Sequence, residues 1–277
     1  MRLTLTLLLI ILVGLGCQSE ASYTDDMAEQ HADDTPEASG MTDVDADDVN
    51  TETVAYGTVD GAEVMGYLAT PIGDATDLPG LIVIHEWWGL NDNIEAMTRA
   101  YAAQGYRALA VDLYGGDVAE DAQGARGLMQ AAMGNIPTAR ENLAAAHSYL
   151  TGAGSAKVGS VGWCFGGSMS LQTGLALPDD LDAMVIYYGR VPDDADTLAP
   201  LAMPILGLFG EDDGGIPVSS VSAFESTLND LEKDVEIVIY EGAGHAFANP
   251  SGQNYQEAAA TDSWARTLAF FEQHLKS

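Results

Sequence analysis

Residues 158–167 read Val158-Gly159-Ser160-Val161-Gly162-Trp163-Cys164-Phe165-Gly166-Gly167. The first five form a β-rich run and a helical pattern starts at Phe165, so Cys164 stands on a sharp strand-to-helix turn. Glycines two places before and two places after it give Gly-x-nucleophile-x-Gly, which holds a nucleophile strained at the top of a sheet. The glycines are needed because a Cβ at Gly162 or Gly166 would collide with neighbouring backbone. The helix that follows directs its amino-terminal dipole and free amides at the sulfur. That placement favours a thiolate and offers the Phe165 amide as an oxyanion donor. By itself the hexapeptide also fits a buried core cysteine in a glycine-rich turn, so the rest of the chain has to decide.

Outward from this turn, short apolar β-rich runs alternate with helical stretches. Strands are expected over 64–69, 81–85, 108–113, 158–162, 183–188, 205–209 and 235–240. Helices are expected over 94–104, 119–133, 138–150, 165–177, 218–231 and 255–274. Such alternation implies an α/β fold, a mostly parallel central sheet with helices on both faces. Ligands in such folds sit at the carboxyl ends of strands. No internal repeat is present.

Two partners for Cys164 follow in the order nucleophile, acid, histidine. Asp213 lies just past the 205–209 strand in Gly210-Glu211-Asp212-Asp213-Gly214-Gly215-Ile216-Pro217, and His245 just past the 235–240 strand in Gly242-Ala243-Gly244-His245-Ala246-Phe247. Singly, Asp213 reads equally as a turn or capping residue and His245 as a surface loop histidine. Jointly, with order and strand ends satisfied, they read as a Cys-His-Asp triad.

These motifs, with His85-Glu86-Trp87-Trp88-Gly89-Leu90 after an early strand, resemble the dienelactone hydrolases of the α/β-hydrolase superfamily over about residues 54–275. The resemblance implies the α/β-hydrolase fold, Cys164, Asp213 and His245 as triad, and Glu86 as the glutamate that contacts the thiol and helps to form the thiolate. It also implies the Trp87 amide as a second oxyanion donor beside Phe165. Independently, a carboxyl at an apolar strand end beside Trp87 and Trp88 is expected to be desolvated and to exchange a proton readily. An ion-paired or capping glutamate is the plainer reading. His85, by strand alternation, points to the other side and reads as structural. Relatives acting on dienelactone carry two arginines for the substrate carboxylate. Here one region reads Asp112-Leu113-Tyr114-Gly115-Gly116-Asp117 and the other position is Asn249. Burying a substrate carboxylate without a cation is costly, so small neutral substrates are expected. Trp88, Tyr114, Trp163, Tyr188, Phe247 and Asn249 are the candidate pocket, although any one aromatic is more often core.

The chain has 277 residues and a formal net charge of −32, which disfavours nucleic acid and anionic membrane as partners. With 47% hydrophobic residues it has material for a sizeable core. Only Cys17 and Cys164 are present, so no disulfide framework exists. Residues 3–13 are an apolar run after Arg2, followed by Gly14, Leu15, Gly16 and Cys17. This reads as a signal peptide over 1–17 whose lipobox-like end makes Cys17 a lipidation site, although Gly14 replaces the usual leucine. Residues 18–52 hold 12 acidic side chains and no Lys or Arg, the composition of a disordered tether. The folded domain is expected over 53–277.

The expected protein is therefore an exported, lipid-anchored monomer, periplasmic or at the cell surface, or else simply secreted. It hydrolyses esters or lactones through an acyl-enzyme, needs no metal or organic cofactor, and meets membrane only through the anchor at Cys17. Two other readings are a non-catalytic surface binding lipoprotein on a hydrolase fold and a thiol redox or acyl-carrying protein. A complete triad argues against the first, and the lack of a resolving cysteine beside a lipidated Cys17 against the second.

Overall fold

The computed structural model describes residues 44–73 and 75–277, together with Asp25 and Met27. Eight strands form one sheet: β1 (Val49–Val59), β2 (Ala62–Pro71), β3 (Gly80–Ile84), β4 (Arg107–Val111), β5 (Val158–Trp163), β6 (Ala183–Tyr187), β7 (Ile205–Gly210) and β8 (Val235–Tyr240). Their order is β1-β2-β4-β3-β5-β6-β7-β8. β1 and β2 are antiparallel to each other and β2 to β4, while β4 through β8 are parallel. Strands β3 to β7 are buried at every position, as parallel strands covered on both faces must be.

Seven helices flank the sheet among the described residues: α1 (Asp92–Ala103), α2 (Ala122–Met133), α3 (Ile136–Gly152), α4 (Phe165–Ala176), α5 (Ala195–Leu198), α6 (Val218–Asp230) and α7 (Glu257–Leu275). Sheet register shows which face two of them cover. Gly80 pairs with Val158 and Leu81 with Gly159, so Gly80 and Gly159 point to opposite sides. A Cβ on Gly159 would press on Phe271 and Leu275 of α7, and one on Gly80 on Leu150 of α3. Helix α1 joins α7 through Tyr101, whose ring lies 4.7 Å from Trp264 and 6.2 Å from Phe271. Helix α4 joins α3, where Arg140 Nε and Nη2 donate to Gln172 Oε1 at 2.9 and 2.7 Å.

The amino-terminal boundary differs from the sequence expectation. The sheet begins at Val49, so residues 49–52, read as the end of the tether, belong to β1. That strand buries only Val49, Val54, Tyr56 and Val59, and its register shifts between Ala55 and Gly57, which disrupts the period-two pattern. A short turn at Asp60-Gly61, with φ of 50° and 81°, sends the chain back into β2. Within the stretch read as tether, Asp25 pairs with Arg126 and Met27 is buried against the core. The signal segment and Cys17 lie outside the described residues. No described helix is long and apolar enough to cross a membrane.

Candidate active site

Cys164 follows β5 at φ 57° and ψ −117°, a region that L residues occupy only under strain. A Cβ on Gly162 would overlap the Gly166 carbonyl, and one on Gly166 the carbonyls of Ile84 and His85. The turn thus closes only with glycine at both places, and it packs directly on the end of β3. Backbone bonds lock it further: Cys164 N donates to Tyr187 O at 3.1 Å and Ser168 N to Cys164 O at 3.2 Å.

The carboxyl ends of β7 and β8 bring up the two partners. Asp213 Oδ2 lies 2.7 Å from His245 Nδ1, while Oδ1 accepts from Gly215 N and Ile216 N, each at 2.9 Å. Both residues are buried. Burial alone would push the Asp213 carboxyl up. The charge and hydrogen bond of His245, with the two amides, outweigh it and hold the carboxyl below the ordinary range. Burial alone would lower His245. The negative charges of Asp213 and Cys164, with hydrogen bonds to both side chains, raise it well above the ordinary value. Such a histidine holds a proton more tightly than a free imidazole, with the Asp213 carboxylate on one side and the sulfur on the other.

Glu86 is buried on the loop after β3, where Asn249 Nδ2 donates to its Oε2 at 2.7 Å. The carboxamide oxygen of Asn249 accepts from Ser251 N at 3.0 Å and Ser251 Oγ at 2.7 Å. His85 is a clasp between strand ends: Leu113 N donates to Nε2 at 3.2 Å, so Nδ1 carries the hydrogen and donates to Glu86 O at 2.6 Å. Burial holds its pKa below the ordinary value, and it stays neutral.

Of the six expected pocket residues, Trp163, Tyr188 and Asn249 line a narrow cleft with Glu86, Ile94 and Met97. Its volume is about 10 Å³, room for about one water. Phe247 does not line this cleft; its ring lies behind it, 5.1 Å from Tyr188 and 5.0 Å from Tyr240. Trp88 is buried on Trp87 with ring centroids 4.9 Å apart. Tyr114 packs on His85 and Phe165. Aromatic identity does not show which side of a loop a ring takes. Ile94 and Met97 were missed as cleft residues because their spacing on α1 reads only as a core face. A larger cavity of about 120 Å³ lies beside Asp112, between Gly66 and Val118; neither it nor the cleft is lined by Cys164, Asp213 or His245. Among the described residues no three His, Cys, Asp or Glu side chains are grouped to hold a metal ion.

A strained cysteine at the end of β5, a buried carboxylate after β7 and a histidine after β8, on a mostly parallel eight-stranded sheet, define an α/β-hydrolase. Within that class the chain belongs to the dienelactone hydrolase family, whose sequence profile matches residues 64–275. It is accordingly a hydrolase of ester or lactone bonds. A protein of Saccharolobus solfataricus provisionally named carboxymethylenebutenolidase is 32% identical over 256 residues, 76% of this chain and 94% of its own. The crystal structure of a provisionally described dienelactone hydrolase from Klebsiella pneumoniae is similar with a TM-score of 0.74 at 27% identity, covering 82% of this chain and 99% of the other. A dienelactone hydrolase-like promiscuous phosphotriesterase from metagenomic libraries has the same TM-score at 25% identity, covering 82% and 98%.

Proposed function

We propose that this hydrolase acts on small neutral esters or lactones through a Cys164-His245-Asp213 triad and an acyl-enzyme. One observation carries the reading: a buried sulfur held at positive φ is hydrogen-bonded to a histidine whose opposite nitrogen is fixed by a buried carboxylate. The Cys164 thiolate attacks the acyl carbon and the carbonyl electron pair moves to oxygen, where the Trp87 and Phe165 amides receive the charge. As the adduct collapses, the carbon–oxygen bond to the leaving group breaks, and His245 Nε2 gives that oxygen its proton. The resulting thioester is attacked by a water that His245 deprotonates, and a second collapse releases the acid and restores the thiolate. Glu86, on the loop that presses on Gly166, exchanges a proton with the resting thiol. No step calls for a cofactor.

Neutral substrates follow from Asn249, whose amide is engaged by Glu86 where the resemblance places a cation, and from the net charge of −32. The segment 1–17 supports export with a lipid anchor at Cys17, the protein otherwise acting as a monomer. Rapid mixing with p-nitrophenyl acetate tests the chemistry: a burst of nitrophenol and an acetylated Cys164 are expected. Equal turnover by Cys164→Ala would end the reading. Radiolabelled palmitate retained by Cys17→Ser would likewise remove the anchor.

A further inference from the structure

The hydroxyl of Tyr114 is buried and, among the described residues, has no hydrogen-bond partner. A buried donor left without an acceptor costs about 1–3 kcal/mol. A loose side chain would escape that cost by turning its hydroxyl to water, but this one is fixed. The Asp112 carboxylate accepts from Tyr114 N at 2.8 Å and also from Gly116 N. The Asp112 carbonyl accepts from Asn142 Nδ2 at 3.0 Å, and Asn142 Oδ1 accepts from Tyr56 OH at 2.6 Å. The loop after β4 is thereby tied to α3 and β1. Its ring stands edge-on to His85 at 4.6 Å and leans on Phe165 at 5.5 Å.

Sheet order then fixes the side from which Tyr114 approaches. It ends β4, which flanks β3, which flanks β5 and Cys164, whereas Asp213 and His245 end β7 and β8 on the far side. Tyr114 therefore stands on the β3 and β4 side of Cys164, away from Asp213 and His245, with its ring against Phe165, the residue after the nucleophile. Burial first, and then the negative charges of Cys164 and Asp112, hold the phenol's pKa well above the ordinary value. Tyr114 stays protonated and in electrostatic reach of the sulfur.

We propose that Tyr114 is a catalytic residue, a third oxyanion donor: its O–H lacks a partner at rest because its acceptor is the oxygen of the tetrahedral adduct on Cys164. The proposal rests on Cys164 being the nucleophile. A preorganised donor in a water-excluded site stabilises charge that develops only in the transition state. It is kept there at some expense of resting stability.

Tyr114→Phe keeps the ring on His85 and Phe165 and deletes only the donor. With p-nitrophenyl acetate, kcat is expected to fall roughly 10- to 100-fold, at or below the usual loss for one oxyanion donor, with KM within about twofold. Because the deleted hydroxyl had no partner, Tm is not expected to fall. Methyl methanethiosulfonate labels Cys164 by displacement at sulfur, releasing methanesulfinate without an oxyanion, and this rate is expected to be unchanged. An unchanged kcat would show that the donor is not used. A lower Tm with proportionate loss of activity would show a structural role, and labelling that slows in step with turnover would show that the phenol supports the thiolate. Any of these three overturns the proposal. Full turnover by Cys164→Ala overturns the nucleophile itself, a result that the labelling and Tm measurements on Tyr114→Phe do not mimic.

Discussion

The loop after β7 and the loop after β3 each bury a carboxylate in the same site, and they hold it in different ways. Asp213 receives two backbone amides on one oxygen and the His245 ring nitrogen Nδ1 on the other. Donors of that number and charge keep it ionised and oriented. Glu86 receives the neutral amide of Asn249. On the proposed mechanism Glu86 exchanges a proton and Asp213 orients a base. The proposed mechanism thus assigns the two carboxyls different work, and variants of each test that assignment.

Asp213→Asn carries the largest expected effect. It keeps the shape of the loop but removes the charge that raises His245, and kcat on p-nitrophenyl acetate is expected to fall by roughly 10³–10⁴. Gly166→Ala comes next and acts on the other loop. Its methyl would enter the carbonyls of Ile84 and His85, costing about 1–3 kcal/mol of stability by overpacking and moving Glu86 while Asp213 stays fixed. Urea unfolding measures the loss, and an unchanged midpoint would mean that the β3 loop is not seated on the elbow. Glu86→Gln is expected to lower kcat by about tenfold, or about 1.4 kcal/mol. If Asp213→Asn and Glu86→Gln cost the same, the division between orienting and exchanging carboxyls is wrong.

Stability against pH tests the same contrast more weakly. The carboxyl of Asp213 lies below its unfolded value, so its contribution is complete above about pH 4 and is lost as pH falls through the folded value. His245 lies above its unfolded value, so its contribution is complete below about pH 6.5 and is lost as pH rises through the folded value. A plot of Tm against pH should show both limbs in the native protein. Asp213→Asn should lose the acid limb and shift the alkaline limb towards about pH 6.5. A profile unaltered by the substitution would show that the buried pair does not couple as the geometry demands.

How far these features could be read beforehand depended on whether their cause was local. Strands β3 to β7 lie where short apolar runs put them, because burial on both faces removes the polar alternation that would blur the signal, whereas the edge strand β8 was legible from its β-branched residues although Glu236 and Ile239 are exposed. Cys164, Asp213 and His245 came together because each follows a strand of one parallel sheet, so all three emerge at the same edge. The first four residues of β1, Val49-Asn50-Thr51-Glu52, were read as tether, since they continue an acidic run and three of the four face water. The Asn249–Glu86 bond spans 163 residues, and nothing near either residue announces it. Tyr114 was recognised as an aromatic at a strand end, but the fate of its hydroxyl depends on a chain through Asp112, Asn142 and Tyr56 that only the folded protein assembles.

The smallest expected effect concerns Asn249 and depends on which loop claims a new cation. From this position an arginine would be expected to raise turnover of a carboxylated lactone about tenfold, were its charge available to the substrate at about 1.4 kcal/mol. In the folded protein the side chain at 249 already reaches Glu86 at 2.7 Å, so a guanidinium there would first pair with that carboxylate. The ratio of kcat/KM for a carboxylated lactone over its neutral analogue is therefore expected to rise only about two- to threefold in Asn249→Arg, a gain below about 0.7 kcal/mol. Adding Glu86→Gln frees the cation, and the ratio is expected to approach tenfold although both absolute rates fall. A full tenfold gain in the single variant would mean that Glu86 does not capture the charge. An unchanged ratio in the double variant would mean that position 249 does not face the substrate at all.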